Sequence, residues 1–133
     1  MISEHNTVRP KPARITGIRH VFAAAGYSIG GVRRLWQETA FRHIMLALVI
    51  CLALLFAIDA SVMEFSGLLV LFFALVAVEA LNTAIECIVD HLAPNWAEFA
   101  RDAKDLGSLA TMCLLLANGI YLGSLMLEYF EVL

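Results

Sequence analysis

The stretch Val78-Glu-Ala-Leu-Asn-Thr-Ala-Ile-Glu-Cys-Ile-Val-Asp90 closes an apolar run that begins near Phe65 and is long enough to cross a bilayer. Five polar residues interrupt its later half: Glu79, Asn82, Thr83, Glu86 and Asp90. On an α-helix at ~100° per residue, positions 79, 83, 86 and 90 share a stripe roughly 60° wide, with Asn82 at its edge. Val78, Leu81, Ile85, Ile88 and Val89 cover the other faces. A carboxylate near the middle of a bilayer costs about 2.5–3.5 kcal/mol even on lenient insertion scales. Glu79 and Glu86 stand two turns apart, about 10 Å along the axis. Ionisable groups so placed face protein or water, not lipid, and mark a functional site by default.

Composition agrees with a membrane chain. Of 133 residues, 61% are hydrophobic and only 16% charged, against ~25% charged in soluble domains. Mean hydropathy is +0.80. The length suits one domain. Working outward from the polar stripe, the fold expected is an all-α membrane protein: an N-terminal amphipathic surface helix and three transmembrane helices. Residues 1–15, with Pro10 and Pro12, read as a disordered tail. Residues 16–133 form one membrane domain: a surface helix about 16–42 and spans about 43–60, 65–90 and 105–128.

Each segment has its own signature. From Thr16 to Gln37, Ile18, Val21, Phe22, Ala25, Ile29, Val32, Leu35 and Trp36 recur at helical spacing between basic residues. The unbroken apolar run Ile44–Ile58 is short for a span, so tilt or local thinning of the bilayer has to absorb the difference. Asp59, Ser61 and Glu64 read as a connector. His91–Lys104 reads as a polar loop, with Pro94-Asn95 as its turn. The third span carries Gly107, Ser108, Ala110 and Gly119, small residues that allow close helix packing.

Charge sets the expected orientation. Seven of the nine Lys and Arg residues precede residue 43, and the other two, Arg101 and Lys104, lie in the 91–104 loop. The positive-inside rule then places the N-terminus and that loop in the cytoplasm and the C-terminus outside. Beside transmembrane spans, the basic arm reads as a lipid-surface contact (Arg33 and Arg34 meeting headgroups), and no nucleic-acid partner is expected. The three cysteines fit no zinc spacing and their odd number fits no disulfide framework.

At the cytoplasmic edge the polar stripe is joined by Lys104, Asp105 and Ser108 from the third span, and by Glu38 and Arg42 from the end of the surface helix. Carboxylates without a Cys or His cluster suit a hard cation, Mg2+ before Zn2+, usually shared with phosphates. The most buried carboxylate, Glu79, suits a general base for a lipid hydroxyl. No G-x-x-x-x-G-K-[ST] phosphate loop is present. Two other readings fit the stripe physically: polar glue between helices, which suits Asn82, Thr83 and Ser108, and a proton- or ion-conducting subunit with Glu79 as carrier.

Four pieces of the chain resemble the small bacterial integral-membrane diacylglycerol kinases: Ala24-Ala-Gly-Tyr-Ser28, Glu38-Thr-Ala-Phe-Arg42, Glu79-Ala-Leu-Asn-Thr-Ala-Ile-Glu86 with Val89-Asp90, and Arg101-Asp-Ala-Lys-Asp-Leu-Gly-Ser108. The likeness runs from about Gly17 to the C-terminus. It implies an ATP-dependent kinase of the cell inner membrane that converts diacylglycerol to phosphatidic acid. It also implies a homotrimer with active sites shared between subunits. By the same likeness Glu79 is the general base, and Glu38 and Glu86 hold the Mg2+ of Mg-ATP. Tyr27, Lys104 and Asp105 lie in the nucleotide site, with Asn95, Trp96 and Ala97 on its adenine side. Ser28, Phe41, Arg42 and Ser108 belong to the lipid side, and Asn82 and Asp90 support the site. Undecaprenol is the alternative substrate within the family. The chain departs from the family pattern twice. His20, preceded by Arg19, stands where the family has an arginine for phosphate, so that nucleotide contact falls to one of these two, and the segment between Trp36 and Glu38 is one residue shorter.

Overall fold

The computed structural model describes residues 17–132; the expected N-terminal tail lies outside them. Four helices follow one another: α1 (Ile18–Leu35), α2 (Thr39–Ala57), α3 (Val62–Leu92) and α4 (Glu98–Val132). The last three are each long and apolar enough to cross a membrane. At 1.5 Å per residue, α2 spans about 28 Å, α3 about 46 Å and α4 about 52 Å, against a hydrocarbon layer of about 30 Å. The 19 residues of α2 are about as long as that layer, with Arg42 and His43 within its first five residues.

The surface helix and first span are not joined as expected. In place of a surface helix to residue 42, the chain leaves helical geometry at Trp36, Gln37 and Glu38, and α2 starts at Thr39. Glu38 is extended, with φ −78° and ψ 131°, and forms the N-cap of α2. Arg42 fastens this turn. Its guanidinium donates to the carbonyls of Trp36 (3.3 Å) and Gln37 (3.5 Å) and to Thr39 Oγ1 (3.0 Å). Phe41 is buried beneath Trp36, their rings meeting edge to face at 6.0 Å. The one-residue shortening falls in this turn, where no helical register has to be carried across. Arg33 and Arg34 end α1, where the helix dipole favours positive charge.

The other joints are shorter than expected. Ser61 and Glu64 make a reciprocal capping box at the start of α3, the Glu64 amide donating to Ser61 Oγ (3.3 Å) and the Ser61 amide to Glu64 Oε2 (2.5 Å). Glu64 therefore belongs to the first turn of α3, not to the connector. Asp59, at φ +51°, takes the left-handed conformation that Asp tolerates at a tight turn. Residues 93–97 alone link α3 to α4, because Glu98-Phe-Ala-Arg-Asp-Ala-Lys104 is rich in helix formers and is already helical.

α3 is the central element. α2 packs on it through Ile44 against Phe72 and Leu75, and through Leu55 against Leu68, where Leu125 of α4 joins. α3 and α4 run antiparallel in a register marked by polar contacts. Tyr121 donates to the Glu64 carbonyl (2.8 Å), and Asn118 to the Leu71 carbonyl (3.3 Å). The outer faces, with Val49, Phe56, Val70, Phe73, Ile120 and Leu127, stay exposed and apolar, as suits contact with acyl chains or other membrane segments.

Candidate active site

The polar stripe of α3 is buried in graded fashion. Glu79 is 3% exposed, Asn82 9% and Thr83 5%. Glu86 is half-buried and Asp90 exposed. The carboxylates therefore descend from the loop end of α3 into the helix packing. Glu79 and Glu86 open into a cleft of about 280 Å³ whose polar lining also includes Glu38, Asn82, Thr83, Ser108 and Thr111. Glu79, Glu86, Glu38 and Ser108, from three elements, thus share one space.

Each acidic group in the cleft has one distinct partner. Thr111 Oγ1 donates to Glu79 Oε2 at 3.2 Å. Asn82 Nδ2 donates to Glu86 Oε1 at 3.1 Å. Glu38 forms an ion pair with Arg34, one turn earlier on the far side of the α1–α2 turn. Arg34 also reaches Cys87 Sγ on α3 at 3.6 Å. Expected at the headgroups, Arg34 instead ties Glu38 to the bundle, because the turn at 36–38 folds the carboxylate back toward it.

Asn82 is held in an unusual setting. Its Oδ1 is buried and finds no hydrogen-bond partner among the described residues. It faces Gly107 on α4 so closely that a Cβ there would collide with it. Only glycine lets the two helices approach this far.

A second recess, of about 220 Å³, lies beyond Glu86 at the loop end. Asp90, Asn95, Trp96, Ala97, Arg101 and Lys104 line it. Lys104 Nζ meets Asp90 Oδ1 at 2.5 Å. Asn95, Trp96, Ala97 and Lys104, expected on the nucleotide side, thus lie together with Asp90, one turn along α3 from Glu86.

Other expected site residues lie elsewhere in the chain. Tyr27, 73% exposed, borders neither recess, and nor does the exposed Asp105. Ser28 lines a separate groove of about 460 Å³ between α1 and α3, and its hydroxyl donates to the Ala24 carbonyl at 3.1 Å. Phe41 is packed under Trp36 and Arg42 is engaged in the turn, so neither is presented to the cleft. Arg19 and His20 belong to the first turn of α1; their side chains are outside the described set. Among the described residues, no three His, Cys, Asp or Glu side chains are gathered as a self-sufficient metal cage.

Thr111, Gly107 and Arg34 are the contributors that sequence reasoning does not single out for the site. The signal for the first two is positional: Gly107, Ser108 and Thr111 share a face of α4, three and four residues apart.

Comparison with known proteins settles the class. The model of the prokaryotic diacylglycerol kinase family matches residues 26–126, which contain the whole of both recesses. The chain belongs to that family. It is 47% identical over 106 residues to a diacylglycerol kinase of Sinorhizobium sp, covering 80% of this chain and 77% of the relative. It is 34% identical over 98 residues to the diacylglycerol kinase of Escherichia coli K12, covering 73% and 80%. The diacylglycerol kinase of Pseudomonas aeruginosa is 33% identical over 96 residues, covering 71% and 78%. Membership bears out the family resemblance and makes the chain a membrane-embedded kinase. The ion-conducting reading of the polar stripe is thereby set aside.

Proposed function

We propose that the chain transfers the γ-phosphoryl group of ATP to the free hydroxyl of diacylglycerol, at the cytoplasmic face of the inner membrane. The supporting observation is a carboxylate, Glu79, almost fully buried in a bundle of membrane helices yet lining a cleft with Glu38 and Glu86. Helix association alone is met more simply by hydroxyls and amides.

The roles follow from depth. Thr111 engages Oε2 of Glu79, and the carboxylate accepts the proton of the lipid hydroxyl. As that O–H bond breaks, the hydroxyl oxygen forms a bond to the γ-phosphorus. The bond between that phosphorus and the β–γ bridging oxygen breaks, and ADP leaves with the electron pair. In such a transfer the protein contributes chiefly positioning and charge stabilisation.

The donor set fits Mg2+. This ion prefers oxygen ligands and is commonly held by one or two carboxylates plus phosphate and water. Glu38 and Glu86, two carboxylates in one cleft, match that pattern without a third protein ligand. Held by Glu38 and Glu86, Mg2+ would supply positive charge to offset that of the ATP phosphates. Arg34 and Asn82 orient the same two carboxylates. Lys104 at the adjoining recess supplies positive charge for the phosphate chain, and Asn95, Trp96 and Ala97 border the adenine side.

The basic residues near the N-terminus and at 101–104 support an N-in, C-out orientation, which puts both recesses at the cytoplasmic end. In the homotrimer we propose, Tyr27 and Asp105, which stand outside their own chain's recesses, complete a neighbour's site.

The deciding experiment measures transfer of labelled γ-phosphate from ATP to diacylglycerol, undecaprenol and ceramide in detergent, with and without Mg2+. Magnesium-dependent labelling of diacylglycerol in preference to the others is expected; preference for undecaprenol would overturn the substrate assignment. Glu79→Gln should lower kcat by about 10²–10⁴-fold with ATP binding and the oligomer intact. Turnover by that variant near the wild-type rate would overturn the base assignment.

A further inference from the structure

Serine and threonine hydroxyls within the helices are used in two ways. Ser28, Ser66 and Ser124 donate to carbonyls of their own helices, at 3.1, 2.8 and 2.8 Å. This is the ordinary local solution for a serine or threonine within a helix. Thr111 departs from it. Its hydroxyl crosses from α4 to α3 and donates to Glu79 Oε2 at 3.2 Å, and both residues are buried, Thr111 being 8% exposed. Both line the same cleft.

We propose that Thr111 is a positioning residue for Glu79, holding Oε2 so that Oε1 is turned toward the acceptor hydroxyl. This inference rests on the reading of Glu79 as the general base and deepens it. A glutamate has three side-chain torsions, and a base left to sample them spends little time in one productive geometry. A hydrogen bond to one oxygen, made from a neighbouring helix, selects the rotamer and fixes the plane of the carboxylate. The helix beneath Thr111 is itself pinned, by Gly107 against Asn82 one turn earlier and by Asn118 on the Leu71 carbonyl two turns later. The donor therefore sits on a rigid element, which positioning requires. Thr111 touches no substrate in this scheme; it acts through Glu79 alone.

The test compares Thr111→Val, which keeps shape and removes the hydroxyl, with Thr111→Ser, which restores it, in detergent-purified full-length enzyme. Thr111→Val should lower kcat about 10- to 100-fold while KM for ATP and for diacylglycerol stays within about twofold. Thr111→Ser should recover most of the loss. Combined with Glu79→Gln, Thr111→Val should cause no further loss, since its only route of action is gone. Thr111→Ala is the second hydroxyl-free variant should valine disturb packing, with thermal unfolding and size-exclusion profiles as the check on folding.

Wild-type kcat in either hydroxyl-free variant, beside an inactive Glu79→Gln, would overturn the role of Thr111 and leave the base assignment standing. An active Glu79→Gln would overturn the base assignment itself. An additive further loss in the double variant, or no recovery with serine, would show that Thr111 acts by packing and not through the carboxylate.

Discussion

Gly107→Ala tests the tightest contact between α3 and α4. A Cβ at 107 collides with Asn82 Oδ1 and comes within 3.2 Å of Asn82 Cγ. Asn82 is buried, so its amide has to rotate or α4 has to move. Rotation breaks the 3.1 Å bond from Asn82 Nδ2 to Glu86. A hydrogen bond to a charged group contributes about 1.5–3 kcal/mol, and glycine to alanine within a helix returns about 1 kcal/mol. The balance is a destabilisation of about 0.5–2 kcal/mol. The functional loss should be larger, because the propensity gain does nothing for Glu86. A carboxylate freed of 1.5–3 kcal/mol of orientation should lose about 10- to 100-fold in apparent affinity for Mg-ATP. The assay is a Mg-ATP titration of lipid phosphorylation at saturating diacylglycerol, paired with thermal unfolding in the same detergent. Should Gly107→Ala raise the unfolding temperature and leave the titration unchanged, the helix would have gained propensity without disturbing Asn82. The reasoning about that contact would then be refuted.

Ser61→Ala removes the capping box at the opposite end of α3; it should lower stability by about 0.5–2 kcal/mol in thermal unfolding, with kcat unchanged. Arg42→Met unfastens the α1–α2 turn. Proteolysis near residues 36–38 should quicken and KM for Mg-ATP should rise, because Glu38 is placed by that turn. Lys104→Met breaks only an exposed pair with Asp90, so stability should change by less than about 1 kcal/mol. KM for ATP should nonetheless rise several-fold in steady-state kinetics.

The parts of the molecule legible in the sequence are those with strong local signals. Charged residues inside an apolar run mark α3 and the face that lines the cleft, because carboxylates are costly to leave facing lipid. Long apolar runs marked the spans. The turn at Trp36–Glu38 was not legible: it contains no glycine or proline, and its stabilisation comes from Arg42, which reads locally as one more basic residue. The early start of α4 was obscured by polar residues, which resemble a loop in composition yet are good helix formers. Arg34 reads in the sequence as a headgroup contact because its pairing with Glu38 depends on how the intervening turn folds back. Thr111 carries no signal until the antiparallel register sets it opposite Glu79, a relation between residues 32 positions apart.

The central helix is apolar at one end and acidic at the other. Around Leu68 it meets Leu55 and Leu125; around Glu79 it meets Thr111 and, across the cleft, Glu38. Heritable change should be sorted along this axis. Substitutions in the leucine-rich half will surface as scarce protein in the membrane, while those in the acidic half will surface as plentiful but idle enzyme. On the proposed roles, one continuous rod thereby carries both the protein's abundance and its catalytic quality, weighted toward opposite ends.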